Sequence, residues 1–314
     1  MLVVLSGIYW AMTNTQKIRD WYILQTYHPP AAIVSLVNID QMTNYAKNLF
    51  YVNRPNLASK SVFAAQCPKG AYQTYVIGCY HSGDNGIYLL DVKNPSLDGI
   101  IPVTAAYEML HAGYARLTSA ARSSIDNQMW NFYLHNVNNS EIKQQMAAYA
   151  VSEPGARYDE LYSVLATEVD NLPTTLNNDY RLYFKDRASI VVMYNKYQAS
   201  FISRQSAIAS DASELNSLKT QIDNNEAVIS SELNSIKTQS ATLDGQKSSG
   251  DIAAYNLGVP GYNLLVNNYD VLVNTTRSEI TNYNQIVNQL NSLVLEEQQL
   301  IKSINTAPNS LAPK

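Results

Sequence analysis

The sequence predicts an α+β fold in which a mostly helical domain with a small β-hairpin sheet precedes a long antiparallel coiled-coil hairpin. Three observations lead to this expectation: β-type runs near residues 72–92, helical patterns on both sides of them, and an aliphatic seven-residue repeat in the last third of the chain. A chain of 314 residues can bury a sizeable core beside such an extension. The expected division is an N-terminal membrane segment and linker at 1–30, the domain at 31–190, the hairpin at 191–306 with its tip near 245–255, and a disordered tail at 307–314.

The composition restricts the classes of partner. The formal net charge is −4 and charged residues make up 15% of the chain, so we expect no electrostatic binding of nucleic acid. Tyrosine is frequent, with 23 copies. A polar, weakly charged and tyrosine-rich chain favours an exported protein over a cytosolic one.

The N-terminal segment suggests a membrane anchor. Residues 1–12 are apolar but cover only about half of the roughly 20 residues that a spanning helix needs, and they lack the positively charged start of a secretory signal. Three interpretations compete: an anchor whose upstream part is missing from the reading frame, an uncleaved signal segment, and a buried soluble helix. We favour the anchor, with the bulk of the chain outside the cytoplasm, because residues typical of a membrane interface follow. These residues are Trp10, Lys17, Arg19, Trp21 and Tyr22.

A β-hairpin and a disulfide are expected in the first third of the chain. Two runs rich in β-branched and aromatic residues, 72–80 and 86–92, flank a turn-like segment. The only cysteines are Cys67 and Cys79. We favour a disulfide between them, formed in an oxidising compartment, and two buried thiols are the alternative. Zinc is not expected here, because His81 is the only histidine nearby and its spacing fits no zinc pattern.

Two aliphatic series with strict seven-residue spacing predict the hairpin. Such spacing implies a seam at 3.5 residues per turn and hence a left-handed coiled coil. We expect its first helix to begin near residue 175, the two helices to pair by reflection about Ser248, and Pro260 with Gly261 to kink or delay the returning helix. The first series is Ile208, Leu215, Ile222, Ile229, Ile236 and Leu243. The second is Val259, Val266, Val273, Ile280, Val287, Val294 and Ile301, with Tyr262, Tyr269, Tyr283, Leu290 and Ile304 as d-type partners.

Polar residues interrupt the predicted seam of the first helix. Asp211, Asn225 and Gln239 occupy d-type positions, where buried polar groups cost stability. The hairpin is therefore either a rigid stalk with a wet seam or an element that another surface covers, which would mediate protein–protein contact.

A predicted helix near residues 103–117 carries the chemically most informative side chains. In the motif H-E-x-x-H, two histidines four apart share a helix face and bind Zn²⁺, and the glutamate activates the metal-bound water. Glu108 and His111 stand at the matching offsets, but Tyr107 replaces the first histidine. Whether the chain hydrolyses anything depends on that replacement.

Three segments resemble a known family. Residues 103–117, VTAAYEMLHAGYARL, are similar to the pattern VTAAHEMLHAxYxRL of membrane-anchored, gluzincin-like zinc metallopeptidases. Residues 159–168, DELYSVLATE, resemble its ELHSxxGTE segment, and residues 183–187, YFKDR, resemble a third. The resemblance extends over nearly the whole chain and implies a zincin-like fold for residues 31–190.

The resemblance also implies a site with zinc as its cofactor. His111 would be one zinc ligand, Glu108 the general base and Glu168 the third ligand. Tyr107 and Tyr162 stand where the family has histidines, one a ligand and the other close to the transition state. Two such replacements suggest that the site has decayed as a unit.

We favour a pseudo-enzyme that binds or scaffolds a peptide or protein partner. The Tyr107 hydroxyl, with an ordinary pKa of about 10, keeps its proton at neutral pH, and loss of one of three ligands generally abolishes tight zinc binding. The five residues above would then form a hydrogen-bonded core in which His111 pairs directly with Glu168. One alternative is an active zinc peptidase in which Tyr107 is tolerated as a ligand and Glu108 is the base. The other is a structural surface protein whose coiled coil is the functional part.

Overall fold

The computed structural model of the protein describes residues 14–67, 76–82, 86–152 and 154–306. These residues are mostly helical, with a small three-stranded sheet and a long pair of packed helices, as the sequence predicts. Two compact units are present, one formed by residues up to 200 with those from 299, the other by residues 201–298. The predicted anchor segment and tail lie outside the described residues. No helix within the described part is both long and apolar enough to span a membrane.

The elements follow one another in a fixed order along the chain. The helices before the long pair are α1 (Thr15–Thr26), α2 (Ala31–Ile39), α3 (Asn44–Val52), α4 (Lys60–Gln66), α5 (Ile100–Ala115), α6 (Ser119–Asn136), α7 (Ser140–Ser152), α8 (Arg157–Glu168) and α9 (Thr174–Tyr180). The strands are β1 (Asn56–Ala58), β2 (Gly78–His81) and β3 (Gly86–Leu90), and a short 3₁₀ turn covers Pro95–Leu97. The long helices are α10 (Arg187–Ser248) and α11 (Ile252–Ile304).

The predicted β-hairpin is present. β2 pairs antiparallel with β3, and Gly78 lies opposite Leu89. Residues 72–75 of the predicted first strand and residues 83–85 of its turn lie outside the described part of the chain. β1 pairs in parallel with β3, which gives the strand order β1-β3-β2, so that β2 is an edge strand among the strands that the structure describes. The sequence does not predict β1, because a strand of three residues carries too little alternation to be recognised.

The predicted disulfide is also present. Cys67, which directly follows α4, is bonded to Cys79 of β2, with 5.8 Å between their Cα atoms. The bond therefore ties the edge strand to the helix before it. Removing a native disulfide from a small domain typically costs about 2–5 kcal/mol of stability.

Helix α5 is the central helix of the first unit. It is buried along most of its length, as expected for a helix that is apolar on almost every side. Small residues allow its neighbours to approach closely: a Cβ added at Gly113 would lie 2.7 Å from the ring of Tyr183. Helix α8 packs along α5 and contributes an unbroken run of buried side chains from Glu160 to Thr167. Strand β2 packs against another side of α5.

The expectation that the first long helix begins near residue 175 is wrong. Helix α9 is separate and short, and α10 begins only at Arg187. Between them, Phe184 forms an isolated β-bridge with Met42, and the Asp186 carboxylate accepts a backbone hydrogen bond from the first turn of α10 at 3.0 Å. The helical pattern is interrupted because this segment pairs with the chain before α3.

The two long helices pack antiparallel. Arg204 forms an ion pair with Glu296 at 3.5 Å, and the Asn225 amide donates to Glu279 at 2.8 Å. These pairs centre the hairpin at residues 250–252, slightly beyond the predicted point at Ser248. Pro260 lies inside α11 and does not delay its start.

The first aliphatic series faces the partner helix as predicted, since none of its six members is exposed. The interleaved Asp211, Asn225 and Gln239 are also shielded, and Asp211 is only 8% exposed. The seam of α10 is therefore partly polar.

The predicted series of α11 is only partly shielded. Its d-type partners are shielded as expected and five of its seven members are half-buried, but Ile280 and Val294 are 39% and 37% exposed. The most buried aliphatic residues, Ile286 and Leu300, each lie one residue before a member of the series and are 8% and 2% exposed. Two neighbouring stripes of α11 are apolar at the same spacing, and the hairpin uses the stripe richer in the larger leucines. This second stripe is Leu265, Leu272, Ile286, Leu293 and Leu300, with Glu279 in the same series.

Candidate functional site

Helix α5 places the three residues of its degenerate motif against two neighbours. Glu108 faces β2, whereas Tyr107 and His111 face the first turn of α8. The offset of four residues, about one helical turn, keeps the side chains of Tyr107 and His111 adjacent, with their ring centroids 5.1 Å apart.

The Glu108 carboxyl is buried where α5 crosses β2. A Cβ added to Gly78 would lie 2.5 Å from Oε1 of Glu108 and 2.5 Å from Cγ2 of Thr104, so the crossing requires a glycine. Burial raises the pKa of the Glu108 carboxyl to about 8, against the effect of His111, and the charges of Glu160 and Asp159 act in the same direction as burial. In the chain without metal, Glu108 is therefore mostly protonated at neutral pH and would have to lose this proton to act as a general base.

The His111 imidazole is held between two carboxylates of α8. Its Nδ1 lies 2.9 Å from Oδ1 of Asp159, and its Nε2 lies 3.8 Å from Oε2 of Glu160. Burial alone would lower the pKa of His111, but the hydrogen bond with Asp159 and the charges of Glu160, Asp159 and Glu108 raise it to about 10. The imidazole is consequently cationic at neutral pH.

The Tyr107 hydroxyl lies at the same carboxylate. It donates a hydrogen bond to Oε2 of Glu160 at 2.6 Å, and Tyr149 of α7 hydrogen-bonds to Tyr107. Burial, reinforced by the charge of Glu160, raises the pKa of Tyr107 well above its ordinary value. Tyr107 is thus a neutral phenol and a hydrogen-bond donor.

Glu168 has other partners than the predicted one. It lies at the last residue of α8, where it hydrogen-bonds to Tyr194 and Gln145. Burial raises the pKa of the Glu168 carboxyl to about 7, although these two hydrogen bonds oppose the shift. The predicted direct pair of His111 with Glu168 is replaced by the pairs of His111 with Asp159 and Glu160.

Tyr162 belongs to a different cluster. Its hydroxyl donates to Oδ2 of Asp179 at 2.6 Å, and its ring is packed against Tyr180 at 5.1 Å between centroids. The structure therefore brings together Tyr107, Glu108 and His111, as the sequence suggests, and places Tyr162 in the aromatic core.

Asp159 and Glu160 are the site residues that the sequence did not identify. They lie in the first turn of α8, where acidic residues are common because the positive end of the helix dipole stabilises a negative charge. The sequence did contain a signal for them, because they are the first two residues of the segment DELYSVLATE, which resembles a segment of the peptidase family. Only the packing of α8 on α5 reveals that they, and not Glu168, contact His111.

The donors at this site do not make up a catalytic zinc set. Such a site needs three protein ligands with available lone pairs, and Tyr107 contributes a protonated phenol that donates to Glu160. Within the described part of the chain, the only group of three or more His, Cys, Asp and Glu donors that lie within 4.8 Å of one another is Cys67, Cys79 and His81. In that group the two cysteines are joined in the disulfide.

Comparison of the chain with protein-family models, with curated proteins and with solved structures finds no match. The zincin-like fold and the gluzincin family stay predictions from the sequence.

Proposed function

We propose that the protein is a membrane-tethered, extracytoplasmic pseudo-enzyme related to zinc peptidases, in which the peptidase-like domain binds a peptide or protein partner without cleaving it. The single observation that carries this proposal is the hydrogen bond from the Tyr107 hydroxyl to Glu160. At the position of the first zinc ligand, the phenol donates a hydrogen bond to the Glu160 carboxylate. In a metal site, the metal ion would interact with that carboxylate instead.

The surroundings of His111 support descent from a metal site. In metal sites, a ligating histidine commonly donates its second ring nitrogen to a carboxylate, which fixes the orientation of the ring. Asp159 stands in that relation to His111 at 2.9 Å, and Glu160 lies on the side of the other ring nitrogen. In this interpretation Glu160, and not Glu168, occupies the position of the third ligand.

The position of β2 supports peptide binding. β2 lies at an edge of the sheet and packs against α5 next to Glu108. An extended peptide can add to such an edge through main-chain hydrogen bonds. The peptide would then lie beside a site that offers no metal-bound water to attack it.

Metal titration of the purified full-length chain tests the proposal. We expect the wild-type protein to bind no zinc with micromolar affinity and to leave fluorogenic peptides intact, because one of three ligands is missing. Tyr107→His should bind about one zinc ion per chain, measured by titration calorimetry and elemental analysis.

Second-site variants locate the ion. Glu160→Gln in the Tyr107→His background should abolish this binding, whereas Glu168→Gln should leave it intact. Tyr107→Phe is the matched control, since it removes the hydroxyl without supplying a ligand. A Tyr107→His chain that folds but takes up no zinc would contradict the site, and tight zinc binding by the wild type would favour an active peptidase.

The exposed face of α1 supports tethering. Trp21 and Tyr22 are 64% and 58% exposed, while Asp20 on the same helix is paired with Arg116 at 2.5 Å, which fixes α1 to the end of α5. Tryptophan and tyrosine are the residues that favour the membrane–water interface.

We therefore expect Trp21→Ala with Tyr22→Ala to lower the binding of the full chain to vesicles containing phosphatidylglycerol several-fold in a co-sedimentation assay. Tyr45→Ala, at a position 44% exposed on α3, is the control and should bind like the wild type. Equal binding by both variants would show that Trp21 and Tyr22 of α1 do not contact the membrane.

A further inference from the structure

An apolar stripe on α11 flanks the seam that joins α10 to α11 and is not fully covered by it. The stripe consists of six β-branched residues at seven-residue intervals, and we call it the outer stripe: Val259, Val266, Val273, Ile280, Val287 and Val294. Four of the six are half-buried, and Ile280 and Val294 are 39% and 37% exposed, so each retains surface that α10 does not cover. An unbroken repeat of this kind, 36 residues long, is the pattern of a helix–helix seam and not of a solvated face.

The outer stripe continues the existing seam of the hairpin. A two-stranded coiled coil needs two apolar positions in each heptad, and the remaining flanking positions are usually charged. Helix α11 has three, because the outer stripe stands beside the stripes of Leu265 and Tyr262. A face with three apolar positions in seven is wide enough for two neighbouring helices, as in a bundle. The hairpin itself supplies only one, α10.

The charge distribution favours a second copy of α11 as the additional neighbour. Residues 252–295 of α11 carry three charged side chains, Asp270, Arg277 and Glu279, whereas residues 201–248 of α10 carry ten. Two copies of α11 can therefore approach each other along the outer stripe without bringing many like charges together. Helix α10 offers no comparable repeat, since its exposed large aliphatic residues, Ile202, Val228 and Leu233, do not recur every seven residues.

We propose that the outer stripe is a homodimer interface, in which α11 of one copy packs on α11 of a second copy and the two hairpins form a four-helix coiled coil. The same stripe meets itself across a two-fold axis, which is the commonest symmetry of soluble homo-oligomers. The proposal is independent of whether the Tyr107 site binds metal.

Sedimentation equilibrium of the full chain tests the proposal. The expected mass is twice the 35.0 kDa of one chain. The variant Val266→Lys, Val273→Lys, Ile280→Lys should be monomeric and should keep its helical circular dichroism, because lysine is a good helix former and its long chain can carry the charge from a half-buried position into water. The milder Ile280→Lys alone should raise the dimer dissociation constant at least tenfold.

A matched control exists on the same helix. Leu257, Leu264 and Val271 also recur every seven residues and are 85%, 61% and 59% exposed, but they lie away from the outer stripe. Their triple replacement by lysine should leave the dimer intact. A monomeric wild type across the concentration series, a dimer that survives the outer-stripe lysines, or equal loss in both triple variants would each overturn the proposal.

Discussion

Gly78→Ala is expected to destabilise the first unit by about 1–3 kcal/mol, the usual cost of overpacking a well-packed site. The added Cβ would lie 2.5 Å from both Glu108 and Thr104, and neither neighbour can move freely, since Glu108 is buried on the central helix. The backbone of Gly78 is not in the left-handed region, so the expected loss is steric and not conformational. Urea denaturation followed by circular dichroism measures it.

Two further variants identify the cause of that loss. Gly155→Ala is the control, because a Cβ there meets nothing within 4 Å, and it should change the free energy of unfolding by less than about 0.5 kcal/mol. Glu108→Ala should partly rescue Gly78→Ala in a double-mutant cycle, because it removes one of the two obstructing side chains. A fully additive pair, or a neutral Gly78→Ala, would mean that β2 does not press on Glu108.

Glu108→Gln is expected to flatten the decrease of stability with rising pH and to be more stable than the wild type above pH 8. The pKa of the Glu108 carboxyl is raised from 4.5 to about 8 by burial, so the folded chain keeps a proton that the unfolded chain releases in this interval. The contribution of Glu108 to stability is thus fully present below pH 4.5 and is lost as the pH rises to about 8, by up to about 1.4 kcal/mol per pH unit. Glutamine is neutral throughout.

The contributions of two neighbouring groups to the stability of the fold also decrease with rising pH, but over different pH intervals. The contribution of Glu168 decreases between pH 4.5 and about 7, so Glu168→Gln should flatten only the lower part of the curve of stability against pH. His111, whose pKa is raised from 6.5 to about 10, continues the decrease into alkaline solution. Urea midpoints at a series of pH values distinguish the three contributions. If the urea midpoints of Glu108→Gln change with pH in parallel with those of the wild type, the pKa of the Glu108 carboxyl is not raised by burial.

Much of the architecture was predictable because its main elements show regular sequence patterns that extend over many residues. The aliphatic repeat of α10 gave the correct facing residues, and the β-branched runs gave the β2–β3 pair. On α11, however, Leu265 and Val266 belong to two adjacent apolar stripes that both recur every seven residues. Periodicity cannot choose between them, and the choice depends on how the side chains fill the space beside α10.

The candidate site was predictable only where its residues share one helix. Tyr107, Glu108 and His111 are brought together by the period of α5 alone. Their partners depend on how α8 is positioned on α5, and residues at both ends of α8 bear carboxylates. Glu168 was chosen from resemblance, whereas the packing selects Glu160 and Asp159, eight and nine residues earlier.

We expect reduction of the bond between Cys67 and Cys79 to lower the pKa of Glu108, because Cys79 is next to Gly78, which packs on that carboxyl. In a strongly reducing medium, β2 would be held to the rest of the unit by its pairing with β3 and its packing alone. Water could then reach the crossing at Gly78, and the proton of Glu108 would leave at a lower pH. A thiol reagent acting at one end of the strand would thereby change the charge of a side chain on a different element.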